Sequence, residues 1–524
     1  MRATRIIKRA AAGNVTPGET VAVIDCGTSS VRAYLAEVRE SGGKVLEDLA
    51  FPVDLTPGFT GGKLDREAMD GVVKAMVGIR EASRSYGITR VRAVATSALR
   101  EANNSDVLVE RVRAAAGFDL EIIDGPEVAR LYFLALQQLL KRGDRTLTGN
   151  TLLIDVGAGS TCVSLLRAGK LVHSVDEHFG AVRTWDLFQD LKDSTDFAIT
   201  VNRFSIGAAR MMLARLPSHT VTNLLVTGSE VRRLIDLVGQ GDGTELESIE
   251  LTRLDRWIDE MEALTPQQRA ERCGLPDEFE AARLLPPACL MRHLGETVKA
   301  ERILVPHFTL RDGLLADLLP GAHGAHHLDD DHLLAEARQL VTRYGANLAY
   351  CENTAELAVQ IFDQTRDLHG LGERERVLLQ FSALVHDVGS FINVRNRHKH
   401  TMYIVQAADI AGLTREEQDM VANVARYHRK SPPEPHHAEF MALERRHRVV
   451  VAYLAAILRL AYGLDVERSQ RIKRVRCTVD GLRLLLKVDR RQIALERWSI
   501  AGKASLFREV FGLDVIVVPR GEDA

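Results

Sequence analysis

The sequence predicts an α/β fold of two similar lobes facing each other across a cleft, followed by an all-helical domain and a small α+β module. Three observations carry this. A strand–turn–strand device occurs twice, as Ala22-Val-Ile-Asp25-Cys-Gly27-Thr-Ser-Ser30 and as Leu152-Leu-Ile-Asp155-Val-Gly157-Ala-Gly159-Ser160. Each copy ends a strand on Asp, places Gly two residues on, and turns through small or hydroxyl residues into an alternating strand, so duplication into two lobes is expected. A polar, Gly-rich stretch over 321–331 marks a domain boundary, and helical periodicity runs from His332 to about Asp465.

In order along the chain, Val21 to Asp25 reads as a buried strand and Val31 to Val38 as its hairpin partner, ending at a Gly42-Gly43 turn. Asp65 to Tyr86 reads as a helix, Arg90 to Ala95 as a strand, Ser105 to Ala115 as a helix, Leu120 to Ile123 as a strand and Glu127 to Leu140 as a helix. The second strand–turn–strand unit occupies Thr151 to Leu171. Leu224 to Thr227 is a strand whose Gly228-Ser229 turn opens a helix, and Arg302 to Val305 is a strand. Beyond the helical domain, Arg474 to Val488 alternates as strands, Leu506 to Phe511 is a short helix and Val515 to Val518 a strand. The expected domains are a tail (1–19), lobe I (20–128), lobe II (129–320), a linker (321–331), the helical domain (332–470) and the C-terminal module (471–524).

The 524 residues exceed what one core holds. With a net charge of −3 the molecule is no polyanion binder by bulk charge, so any such site is a local basic patch. Cys26, Cys162, Cys273, Cys289, Cys351 and Cys477 form no Cys-x-x-Cys pair, which fits reduced thiols in a cytoplasmic protein. Met1 to Ala10 has basic residues but no following apolar run, unlike a secretory signal. Val449 to Leu464 is interrupted by Arg459 and falls short of the roughly 20 residues of a membrane span, so it reads as a buried helix. Neither a membrane nor a nucleic-acid partner is expected.

The turns carry the chemistry. Small residues let backbone N–H groups surround phosphate oxygens. Gly27, Thr28, Ser29 and Ser30 in one turn, Gly157, Ala158, Gly159, Ser160 and Thr161 in the other, and Gly228 with Ser229 are the candidate phosphate binders. Asp25 and Asp155 at the strand ends are candidate Mg²⁺ ligands, since that ion prefers oxygen donors shared with phosphates. Two opposed turns gripping one phosphate point to phosphoryl transfer, where positioning and charge neutralisation supply most of the rate. A single Asp-x-Gly turn is usually only a hairpin; the second copy and the Gly228-Ser229 turn tip the reading toward function. After a third strand, Thr96, Ser97 and Arg100 either reach a phosphate or merely cap and decorate a helix.

Asp25-Cys-Gly-Thr-Ser-Ser30, Thr96-Ser-Ala-Leu-Arg-Glu101, Ile123-Asp-Gly-Pro-Glu-Val-Ala-Arg130, Asp155-Val-Gly-Ala-Gly-Ser-Thr161, Gly180-Ala-Val-Arg183 and Leu310-Arg-Asp-Gly-Leu-Leu315 follow one another here. In this order they resemble the exopolyphosphatase and guanosine pentaphosphate phosphohydrolase family of the actin-like ATPase-fold superfamily. The resemblance implies two actin-like (ribonuclease H-like) lobes with an interlobe cleft, then an all-α His-Asp-type domain and a small α+β module. It also implies removal of terminal phosphates from inorganic polyphosphate, or of the γ-phosphate from guanosine pentaphosphate, with Mg²⁺, a glutamate that activates water, and a homodimer with a basic channel. It places Glu127, Asp155, Asp25 and Arg100 in catalysis.

Three residues depart from the family pattern. Val128 stands where the resemblance implies the second of two adjacent acidic residues, the water-activating one. Cys162 replaces another carboxylate, and Ala158 a glycine. Glu127 survives beside Val128, but neighbouring helical side chains point about 100° apart.

In the helical domain, Phe381-Ser-Ala-Leu-Val-His386-Asp387-Val-Gly389 resembles the central pair of a His-Asp metal hydrolase. Asn353 and Tyr462 stand where further ligands should be, so a metal-free, structural role is expected for His386. Two basic clusters, Arg395, Arg397, His398, Lys399 and His400, and Arg426, His428, Arg429 and Lys430, are candidates for a polyphosphate channel, against the alternative of a solvated helix surface. The leading expectation is exopolyphosphatase activity. The alternatives are guanosine pentaphosphate hydrolysis and, because of Val128 and Cys162, a sensor that binds polyphosphate or an alarmone without turnover. A sugar-kinase-like or ATPase role ranks last, as no adenosine pocket is evident around Gly228.

Overall fold

The computed structural model describes residues 8–9, 15–39, 42–56, 61–216, 220–239, 243–319, 330–408, 410 and 412–519. The chain forms two compact units, Met1–Leu328 and Asp329–Ala524. The expected linker at 321–331 lies outside the described residues except for its last two, which belong to the helix Asp330–Arg343.

The first unit holds two six-stranded sheets. The first comprises β1 (Lys8–Arg9), β2 (Thr20–Cys26), β3 (Ser30–Arg39), β4 (Gly42–Pro52), β5 (Arg90–Ala95) and β6 (Leu120–Ile122), in the order β1-β5-β2-β3-β4 with β6 also pairing β5. The second comprises β7 (Thr151–Val156), β8 (Thr161–Arg167), β9 (Lys170–Glu177), β10 (Asn223–Thr227), β11 (Leu246–Glu250) and β12 (Arg302–Pro306), in the order β11-β12-β10-β7-β8-β9. The central strands β2 and β7 are apolar runs buried on both faces, as strands covered on both sides must be. Each starts an antiparallel meander, β2-β3-β4 and β7-β8-β9, and pairs a parallel strand on its other side. The duplication read from the turns is therefore a duplication of whole sheets.

The helices are specified locally. Asp65 Oδ1 accepts from Ala68 N–H at 2.8 Å and starts the helix Arg66–Ser85. Asp124 Oδ1 accepts from Glu127 N–H at 3.0 Å and starts the helix Gly125–Arg142. Each cap is worth about 1 kcal/mol. The 125–142 helix packs on the helix Leu310–Leu318, and Leu131, Leu310 and Leu314 share one buried cluster with Val21, Val23, Val94 and Cys162. The lobe boundary expected at 128/129 thus falls inside a continuous helix that belongs to the seam between the sheets. Residues 8–9 of the expected tail add a short parallel edge to β5.

In the second unit, helices from Asp330–Arg343 to Arg445–Leu464 pack with the sheet β13 (Val475–Asp480), β14 (Arg483–Val488) and β15 (Asp514–Val518), ordered β13-β14-β15. Helical-domain residues such as Phe381 and Leu454 share one apolar core with Leu484, Leu486 and Phe507. The boundary expected at 470/471 therefore separates no cores. Among the described residues only the helix Arg445–Leu464 is long and apolar enough to cross a membrane, and two thirds of it is buried within this unit. Arg459 is tolerated there because its Nη1 donates to the carbonyls of Tyr427 (3.1 Å) and Lys430 (2.9 Å).

Candidate active site

The β2–β3 and β7–β8 turns are built alike. Gly27 N–H donates to Ser30 O at 3.0 Å, and Gly157 N–H donates to Ser160 O at 2.9 Å. The first turn is held from outside by Leu55 N–H on Thr28 O (2.9 Å) and Val53 N–H on Ser29 O (3.2 Å). The second is held by Val182 N–H and Arg183 N–H on Ala158 O (3.0 and 3.1 Å), and by Arg183 Nε on Gly159 O (2.6 Å). Arg183 Nη2 also reaches Glu101 Oε1 at 2.6 Å, tying this turn to the first lobe. The Gly180–Arg183 motif is thus a buttress behind the turn.

One cleft receives both turns. Gly27, Thr28, Ser29, Ser30, Thr96, Ser97, Arg100, Gly157, Ala158, Gly159, Ser160, Gly228 and Ser229 line it together with Asp25 and Asp155. Pairing in register explains the convergence: Thr227 lies opposite Asp155 on the parallel strands β10 and β7, and Val94 opposite Asp25 on β5 and β2. Gly228 has φ +142° and a Cβ there would strike Val156 O, so only glycine lets the third turn pass so close to the second strand. Thr96 precedes the helix Ser97–Glu101 without a side-chain capping bond, and both Thr96 and Ser97 line the cleft.

Two expected residues are placed otherwise, and a third reaches the cleft already paired. Glu127 does not line the cleft; its two carboxylate oxygens accept from Arg130 Nε (2.7 Å) and Nη2 (2.9 Å), and Arg92 lies 3.6 Å away. Its neighbour Val128 lines the cleft instead, as the 100° step between helical side chains requires. Thr161 is fully buried and its hydroxyl donates to Phe179 O at 2.7 Å, so it is no phosphate ligand. Arg100 lines the cleft, but Nη2 is paired with Asp176 and Nη1 donates to Ile123 O at 2.9 Å. Its charge is therefore already partly spent.

The sequence reading missed Arg32, Tyr132, Asp176, Arg232 and Arg311, which also line the cleft. Arg232 follows Ser229 by one helical turn, a readable signal. Arg311 belongs to the Leu310–Leu315 motif; it pairs with Asp48 and lies 3.8 Å over the Tyr34 ring.

Burial pushes the Asp25 carboxyl up to about 6, against Arg311 and Arg32, which pull it down. Asp155 is pushed up to about 7 by burial; a hydrogen bond from Tyr132 lowers it, Asp25 and Asp176 raise it, and Arg232 lowers it. The two strand-end carboxylates feel each other, which places them in one field. Asp25 Oδ1 is buried without a hydrogen-bond partner among the described residues. A Mg²⁺ ion fits this donor set: two hard oxygen ligands, one with an unpartnered buried oxygen, beside turns that would hold the phosphate completing its shell. No group of three or more His, Cys, Asp or Glu is arranged to hold a metal among the described residues. Two carboxylates with substrate and water suit Mg²⁺ better than a closed protein cage would.

In the second unit, His386 and His428 are buried and each donates Nδ1–H to a carbonyl (Ala383 and Ala425, both 2.6 Å). Burial pushes His386 down to about 4, and burial followed by His386 itself pushes His428 well down. Asp387 is held by Arg397 (2.9 Å) and Arg468 (2.9 and 3.0 Å), and Asn353 donates to Asp465 (3.0 Å). Asp387 is thus an anion satisfied by two arginines. Of the expected channel residues, Arg397, Arg426 and His428 are buried and committed within the unit, Arg426 to Glu439. They do not form a binding surface. Lys399 and Lys430 are exposed, and His400 and Arg429 half-buried. His398 is buried; burial, then Arg429, Lys430, Lys399 and Arg426, push it down to about 4.

Comparisons with known proteins agree with this geometry. A model of the Ppx/GppA phosphatase family matches residues 53–322, and one of Ppx/GppA phosphatase, domain III, matches 335–497. The guanosine-5'-triphosphate,3'-diphosphate pyrophosphatase of Aeromonas hydrophila is 25% identical over 471 residues, covering 86% of this chain and 88% of its own length. That of Pseudoalteromonas atlantica is 23% identical over 474 residues, covering 87% and 88%. The crystal structure of an exopolyphosphatase from Cytophaga hutchinsonii is 22% identical, covers 57% of this chain and 96% of its own, and superposes with a TM-score of 0.50. The twin lobes are thus of the actin-like kind, and with the family models spanning both units, the chain belongs to the Ppx/GppA phosphatase family.

Proposed function

We propose that this phosphoanhydride hydrolase removes terminal phosphates from inorganic polyphosphate in the cleft between its two lobes. The observation that carries the reading is the convergence of the Gly27–Ser30 and Gly157–Ser160 turns, with Asp25 and Asp155, on one cavity. The turns offer backbone N–H groups and hydroxyls to the terminal phosphate from both sides, and Arg32, Arg232 and Arg311 add positive charge along the walls. Asp25 and Asp155 are the groups that would hold Mg²⁺, which when bound neutralises phosphate charge as the bridging bond breaks. Tyr132, kept protonated by burial, Asp155 and Asp25, donates to Asp155 and fixes its orientation. Of the expected channel residues, Lys399 and Lys430 are exposed cations that a polyanion could meet in the second unit.

Guanosine pentaphosphate is the competing substrate, favoured by the names of relatives that align over most of the chain. The reading includes a cytoplasmic homodimer, which six free cysteines, five of them buried, suit as far as compartment goes. Phosphate release from long-chain polyphosphate and from guanosine pentaphosphate, each with and without Mg²⁺, tests it. Faster release from polyphosphate, dependent on Mg²⁺, is expected. Release from guanosine pentaphosphate alone would replace the substrate, and tight binding without release from either would favour a sensor.

A further inference from the structure

Hydrolysis is accelerated by a group in the cleft that takes a proton from the attacking water. Glu127 is outside the cleft and bound to Arg130. The Cys162 thiol is pushed well above its ordinary value by burial, Asp176 and Asp155, and is protonated. The Tyr132 phenol is protonated too and donates to Asp155. Asp25 and Asp155 are the strand-end pair suited to a cation. Among the described lining residues one carboxylate is left, Asp176.

Its placement suits the task. Asp176 is the cross-strand partner of Cys162 in the β8–β9 ladder. Cys162 Sγ lies 3.9 Å from Gly125 O, and a Cβ on Gly125 would fall 2.7 Å from Asp176 Cβ. Glycine at 125 thus leaves room for the Asp176 side chain against the first turn of the 125–142 helix, the turn that carries Val128. The two places lacking a carboxylate, Val128 and Cys162, and the one that has it bound the same corner of the cleft. The Asp176 carboxyl is hydrogen-bonded to Ser160 in the second phosphate turn and paired with Arg100, which is itself anchored on Ile123 O. About a quarter of its side chain remains open to solvent, so water reaches it. Burial raises its carboxyl, although Arg100, His178 and Ser160 pull it down, which makes it a better proton acceptor than an exposed aspartate.

We propose that Asp176 is the carboxylate that activates the attacking water in this chain, a role that rests on the hydrolysis proposed above. The water oxygen forms a bond to the terminal phosphorus as one of its protons passes to Asp176. The bond from phosphorus to the bridging oxygen breaks, and its electron pair leaves on the shortened chain. Asp176 then returns the proton to solvent.

Mg²⁺-dependent phosphate release from polyphosphate and from guanosine pentaphosphate tests this with the native chain, Asp176→Asn, Asp176→Glu and Val128→Glu/Asp176→Asn. Asp176→Asn is expected to lower kcat by about 10² to 10⁴-fold, the usual weight of such a group, with KM changed only a few-fold. Val128→Glu/Asp176→Asn is expected to recover at least tenfold over Asp176→Asn, because it returns a carboxylate to the same corner. Should Asp176→Asn fail to fold, Asp176→Glu, which keeps the charge opposite Arg100, decides. A displaced carboxylate is expected to lose about 10-fold to 10²-fold in kcat at similar KM. A native chain that releases phosphate while Asp176→Asn, or in its stead Asp176→Glu, turns over within threefold of it overturns the assignment and leaves the hydrolysis standing. A native chain that releases phosphate from neither substrate overturns both.

Discussion

Glu127 grips Arg130 with both carboxylate oxygens, at 2.7 and 2.9 Å, and does not line the cleft. Arg130 continues to Asp317 at 2.8 Å, which stitches the 125–142 helix to the 310–318 helix across the seam. Glu127→Ala is therefore expected to leave turnover within about threefold of native. It should lower stability by about 1.5–3 kcal/mol, the range for hydrogen bonds to a charged group. Urea unfolding beside phosphate-release kinetics measures both.

Arg183 holds the second turn by its Gly159 carbonyl and the first lobe by Glu101. Arg183→Ala frees the turn without removing a group that touches phosphate. A misplacement of about 1 Å can cost about 10²-fold, so a fall of that order in kcat/KM is expected. Arg183→Lys, which cannot make both contacts in the guanidinium geometry, should recover little of it. Steady-state kinetics on the three proteins checks this.

The raised carboxyls of Asp25 and Asp155 make a signed pH prediction. Their folded values, about 6 and about 7, exceed the ordinary 3.8, so between pH 4 and 7 the folded chain binds more protons than the unfolded one. Their contribution to stability is thus fully present below pH 4 and is lost as pH rises through 6 and 7. A cation on the ionised pair offsets that loss. The rise in Tm on adding Mg²⁺ should be larger at pH 8 than at pH 5 and largely absent in Asp155→Asn. Calorimetry with and without Mg²⁺ measures it.

Asp387 is enclosed by Arg397 and Arg468 in the second unit. Asp387→Ala leaves two cations facing each other, one of them buried, and is expected to cost about 3–5 kcal/mol. Urea unfolding of the variant checks the magnitude.

Much of the fold was readable. The strands 90–95 and 120–123 and the helix at 65–86 stood out because Gly, Asp caps and apolar runs mark them within a few residues. The strands β4, β9 and β11 were missed. Gly42-Gly43, read as a turn, begins β4, and none of its residues is fully buried, so Leu49 and Phe51, which pack on the core, do not stand out beside Lys44, Glu47 and Asp48. The two strand–turn–strand devices were legible as local sequence. The residues around them were not: Tyr132 reaches Asp155 only through helix packing, and Asp176 meets Cys162 only through strand register. The basic clusters looked uniform in sequence, yet the fold buries Arg397 and Arg426 on carboxylates and leaves Lys399 and Lys430 in solvent.

A crystal structure of the chain with Mg²⁺ and phosphate decides whether the two turns share one anion. One phosphate is expected within hydrogen-bond reach of backbone N–H groups from both 28–30 and 158–160, with the cation beside Asp25 and Asp155. Phosphate bound by one turn alone, or two phosphates held separately by the two turns, would contradict it.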